Sequence, residues 1–146
     1  MPLYYADPAK VDSSPIFFVI KQGNLIIAEL ILDKGGQSLT YIRNSLGFTP
    51  VTYASSLNQH DILNHLSLRG FDLNQEDPQG ITPLARYVLF SNFDQAKRLL
   101  SRGANVDYAN REGKTAIVMA VQQMRLDAAK FLVSKGADPH IQDLTG

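Results

Sequence analysis

The sequence predicts an all-α fold, a solenoid of stacked helix pairs joined by short hairpin-like turns that project from one edge. Three observations carry this. Glycines stand at positions 47, 80, 113 and 146, each 33 residues after the last, and the first three open the segments GFTPVTYA, GITPLARY and GKTAIVMA. A second series, Gly70, Gly103 and Gly136, falls 23 residues behind each of those three. The amphipathic runs HDILNHLSLR, FDQAKRLLSR and LDAAKFLVSK end directly at the second series, as helices stopped by a C-terminal glycine do. Self-similarity at such a period marks a repeat architecture, and units too small to bury their own apolar faces must stack on their neighbours.

The elements follow in order. The first unit is the most diverged, SSPIFFVIKQGNLIIAELILDKGG, with Ser14-Pro15 in place of Thr-Pro and Gly35 as its helix-ending glycine. It starts at Asp12 and runs 35 residues to Gly47, two longer than the others, with the insertion in QSLTYIRNSL. Thr49, Thr82 and Thr115 stand where a hydroxyl would satisfy free N–H groups at a helix start, and Pro50 and Pro83 occupy the first helical position. The expected organisation is therefore a leader or cap at 1–11, repeats at 12–46, 47–79, 80–112 and 113–145, and the start of a further repeat at 146. Neither end reads as a finished polar cap, so the chain is expected to be a piece of a longer protein, with Tyr4 and Tyr5 of the leader folding over the apolar IFFVI.

Composition narrows the function classes. Fourteen Lys plus Arg balance fourteen Asp plus Glu, so no net positive field draws nucleic acid or anionic membrane. The absence of cysteine removes disulfides, thiolate zinc sites and thiol nucleophiles together, and with no signal peptide it points to an intracellular, cytoplasmic protein. The longest apolar run, Pro15 to Ile20, is far too short to cross a bilayer.

The repeated residues resemble the ankyrin repeat family, whose pattern is roughly G-x-T-P-L-H-x-A-A, a turn, a second helix ending in L-L, then G-A-D-V-N. The fullest match is GITPLARYVLFSNFDQAKRLLSRGANVDYANRE, and the resemblance covers residues 12–145. It implies where departures matter. Thr52, Ala85 and Val118 replace the histidine after T-P-L, so its hydrogen bond to the threonine is expected to be absent. Ala116 replaces the proline of the last repeat. Tyr87 stands where the family has a small alanine between helices, and a ring there should push the packing apart or turn outward. Met124 takes the place of an inter-helix glycine that is often left-handed.

Local chemistry yields to the register. Gly113-Lys114-Thr115 looks like the tail of a phosphate-binding loop, but the first glycine of such a loop would fall on Tyr108. His60 and His65 are five apart, so they leave one helix face, and one is expected half-buried and the other solvated. His140 reads as a loop residue. No serine sits in a Gly-x-Ser-x-Gly elbow and no carboxylate pair stands out. No cofactor, metal or catalytic residue is expected.

Binding remains. The resemblance implies recognition by the turn tips and the inward face of the first helices, which together form a groove. The candidate partner-binding residues are Leu46, Phe48, Leu57, Ile81, Leu89 and Phe90, with Arg43, Glu76, Arg111 and Lys114 as charged companions. Lys21 and Gln22 occupy the corresponding helix end in the first unit. Six apolar side chains at solvent-facing register positions are the mark of a protein interface. Leu89 and Phe90 read equally as groove or core. The expected function is a non-enzymatic adaptor or scaffold that binds a peptide or folded partner. The alternative is an N-terminal regulatory or targeting domain of a larger enzyme or channel. The open ends would also allow a homo-oligomer.

Overall fold

The computed structural model describes residues 14–140. The leader at 1–11 and the residues at 141–146, with the expectations placed on them, lie outside the described residues. Among the described residues eight α-helices follow one another: α1 Pro15–Gln22, α2 Leu25–Gly35, α3 Pro50–Ser56, α4 His60–Leu68, α5 Pro83–Leu89, α6 Phe93–Ser101, α7 Ala116–Gln122 and α8 Leu126–Ser134. A single 3₁₀ turn, Gly36–Leu39, follows α2, and there is no strand among the described residues. The chain divides into two compact units, residues 1–72 and 73–146.

The helix starts are built as the sequence predicts. The hydroxyls of Thr49, Thr82 and Thr115 accept the N–H groups of Thr52, Ala85 and Val118 at 3.3, 3.2 and 3.4 Å, with Pro50 and Pro83 in the first turn. At α3 the cap is reciprocal, because the Thr49 N–H donates to the Thr52 hydroxyl at 2.8 Å. The bond expected to vanish with the missing histidine is thus replaced at Thr52, whose hydroxyl does the same work. Ala85 and Val118 have no such group.

The second helices end as expected in the last three pairs. Gly70, Gly103 and Gly136 adopt φ of 81°, 98° and 89°. The following N–H groups of Phe71, Ala104 and Ala137 return to the carbonyls of Leu66, Leu99 and Leu132, and those three side chains are buried. The first pair differs. Gly35 stays helical, with φ −82°, and the left-handed φ of 54° falls on Gly36. The inserted residues then form the 3₁₀ turn, from which the Gln37 side-chain amide donates to the Arg69 carbonyl at 2.7 Å and so caps the end of α4.

Within unit 1, α1 packs on α2 and α3, and α4 on α2 and α3; Ile16, Ile20, Ala28, Leu32, Val51 and Leu66 are essentially inaccessible. Within unit 2, α5 packs on α6, α7 and α8, and α7 on α8. Tyr87 does not turn outward: it is 2% exposed and belongs to this core. Its burial pushes the phenol up to about 12, against the weaker opposing pull of Arg86. Between the helices of each pair the chain passes once through the left-handed region, at Gly23, Asn58, Ser91 and Met124, with φ of 73°, 57°, 60° and 55°. Met124 therefore does adopt the conformation a glycine would hold there, with its side chain 90% exposed.

Candidate functional site

The projecting turns are organised by residues that sequence reasoning missed. Asn44, Asp77 and Asn110, again 33 apart, are buried and each turns one side-chain oxygen onto the backbone of its own turn. Asn44 Oδ1 accepts the N–H groups of Leu46 and Phe48 at 3.1 and 3.0 Å, Asp77 Oδ1 those of Gln79 and Ile81 at 2.8 and 3.0 Å, and Asn110 Oδ1 those of Glu112 and Lys114 at 2.9 and 3.0 Å. Backbone bonds close each loop: the N–H groups of Gly47, Gly80 and Gly113 return to the carbonyls of residues 44, 77 and 110. An Asx residue three positions before each repeat glycine was the available signal.

Each turn balances its buried Asx differently. Asp77 places its second oxygen 2.8 Å from the Arg86 guanidinium, an ion pair in which the aspartate side chain is 2% exposed. Asn110 donates from Nδ2 to the Gly80 carbonyl at 2.9 Å and ties its turn to the one before. In the first turn Arg43 donates to the Gly47 carbonyl at 2.6 Å, so this candidate binding residue is spent on holding its own loop. Glu76 is similarly engaged, its Oε1 accepting the Arg111 N–H at 2.8 Å, while Lys114 lies 3.2 Å from Glu112.

The apolar candidates separate. Leu46 and Phe90 are 65% and 73% exposed, and Leu57 is partly exposed. Leu89 is 5% exposed, a core residue of α5, which removes it from any accessible surface. Phe48 and Ile81 are half-buried. The Phe48 ring lies 5.7 Å from Tyr53, which in turn meets Phe17 edge-on at 5.8 Å. Above this aromatic row a cleft of about 560 Å³ opens in unit 1, lined by Phe17, Phe18, Tyr53 and Leu46, with Lys21, Gln22 and Asn44 as its polar edge. Leu46, at the turn tip, and Lys21 and Gln22, at the end of α1, are thus brought together. The equivalent tip residues of the other turns are polar, Gln79 and Glu112. Phe18, 58% exposed, was not among the expected binding residues, since it lies inside the continuous apolar run IFFVI, where no polar neighbour marks which side chain faces outward.

Among the described residues no group of three or more histidine, aspartate or glutamate side chains is placed to hold a metal ion. His60 and His65 are both half-buried, against the expected division, and His65 Nδ1 on α4 faces Glu29 on α2 of the preceding pair at 3.2 Å. The His140 N–H caps onto Asp138. Thr115 of the apparent phosphate loop is consumed as a helix cap. No helix among the described residues is long and apolar enough to cross a membrane.

Paired short helices, a threonine-capped first helix, a glycine-stopped second helix and an Asx-braced turn at one fixed period define a helical repeat protein. A family model of ankyrin repeats, written as three copies, matches residues 56–143, and the chain belongs to the ankyrin repeat family. Repeats of this family are generally protein–protein interaction modules and typically lack enzymatic activity. No curated protein matches the chain.

Proposed function

We propose that this chain is a non-enzymatic adaptor module that takes an extended peptide segment of a partner protein into the unit 1 cleft. The observation that carries the reading is the cleft itself: a turn tip and two helix-end residues meet over an aromatic floor, with Leu46 and Phe18 left exposed. Concave apolar surface with a few polar groups at its edge suits one or two anchoring side chains and excludes water around them. Lys21 at the edge favours a partner carboxylate near the anchor. Phe90 offers a separate anchor in unit 2, and Ile81 a half-buried shoulder.

The test is selection from a random displayed peptide library on the immobilised chain, beside Leu46→Asp with its folding confirmed by circular dichroism. Asn44 and Gly47 hold the turn without the Leu46 side chain, so the variant keeps its loop. Enrichment of peptides with an apolar anchor beside an acidic residue, lost at least tenfold with Leu46→Asp, is the expected result. Equal enrichment on both proteins places recognition outside the cleft.

A further inference from the structure

The helix pairs repeat with the sequence, so the α2 face of unit 1 and the α8 face of unit 2 can be compared position by position with the contacts between the two pairs of unit 2. In unit 2 the Phe131 ring stacks on Phe93 of the preceding pair at 4.7 Å between centroids. Likewise the Ser91 hydroxyl, in the inter-helix turn, donates to Asp127 of the following pair at 2.5 Å. In register, Leu30 on α2 occupies the place of Phe131, and Ile26 that of Asp127. Leu126 on α8 occupies the place of Phe93, and Met124 that of Ser91. All four end residues are apolar and accessible: Leu30 60%, Ile26 73%, Leu126 66% and Met124 90% exposed.

The substitutions are matched across the two faces. Inside unit 2 the pair Ser91 and Asp127 is polar on both sides; at the ends both counterparts, Met124 and Ile26, are apolar. In unit 1 the charged contacts between the second-helix segments are Arg69 with Asp33 and His65 with Glu29; their end counterparts are Lys34 with Ser134 and Leu30 with Lys130, so no like charges meet there. We propose that a second copy of this chain docks head to tail, the α2 face of one copy on the α8 face of another, with Leu30 on Leu126 and Ile26 on Met124. This surface is separate from the unit 1 cleft. Because each copy carries one face of each kind, the contact is heterologous, and association continues beyond a dimer as concentration rises.

Two blocked variants test this by complementation. Leu30→Asp destroys the α2 face and leaves the α8 face, while Leu126→Asp does the reverse and places a favourable acid in the first turn of α8. Sedimentation velocity of the wild type should show mass rising with concentration through dimer to larger species. Each variant alone should stay a monomer, with an unchanged far-ultraviolet spectrum, and an equimolar mixture should form a dimer and nothing larger. A wild type that stays monomeric into the millimolar range overturns the proposal, as it would if chain beyond these faces covers them. So does a wild type that associates while the mixed variants do not, which indicates contact between two like faces.

Discussion

At the residue scale, the same backbone conformation is occupied by side chains of very different suitability. Asn58 tolerates the left-handed turn through its short polar side chain, and Ser91 is tied there by Asp127 and by Arg125, whose guanidinium donates to the serine at 2.7 Å. The Ser91 hydroxyl, then the Ala128 N–H and Arg125, hold the Asp127 carboxyl below the usual range. Met124 carries a Cβ in the left-handed region and its side chain is exposed, so Met124→Gly should stabilise by about 1 kcal/mol. Thermal unfolding should show a rise of a few degrees, and Ser91→Gly should show none, because it forfeits the serine's hydrogen bonds. Tyr87 gives a second expectation. Its folded value of about 12 lies above the usual 10, so the buried phenol stabilises fully below pH 10. That contribution is lost as pH rises from 10 toward 12, where the unfolded chain ionises and the folded one resists, at a cost of about 2 to 3 kcal/mol. Chemical denaturation across that window should show the loss in the wild type and a flatter profile in Tyr87→Phe.

At the element scale, the turns depend on one buried side chain each. Asn110→Ala leaves two N–H groups and the Gly80 carbonyl without their partner and should cost about 2 to 4 kcal/mol by urea unfolding. Asn110→Asp should be costly too, since the residue in register with Arg86, the partner of Asp77, is Met119. The helices were readable because their signals are local: Thr caps, first-turn prolines and stopping glycines act within a few residues of themselves. The reciprocal cap at Thr52 was hidden because a threonine replaces a histidine of different length, and residue type alone does not say that its hydroxyl accepts the Thr49 N–H. The burial of Leu89 beside an exposed Phe90 was equally hidden, as it depends on the rotation of a two-turn helix. Arg43 and Glu76 looked free in sequence because the groups they hold most closely, the Gly47 carbonyl and the Arg111 N–H, belong to the backbone, which carries no sequence signal.

At the scale of the whole molecule, a fixed period supplies a scaffold, and departures from it mark where recognition can reside. Leu46 is apolar where the other two turn tips carry Gln79 and Glu112, and Lys21 and Gln22 end α1 beside it. The repeat register made the tips and helix ends legible as candidates; it could not say that the first set would enclose a cleft, because that depends on how the Phe17 and Tyr53 rings that line it pack edge to face. The most direct measurement is backbone amide shift mapping by nuclear magnetic resonance, with a library-selected peptide titrated into the labelled chain. Perturbations confined to Phe18, Lys21, Gln22, Leu46 and Tyr53 are the expected result. Perturbations centred instead on unit 2, with the unit 1 cleft unmoved, would contradict the account.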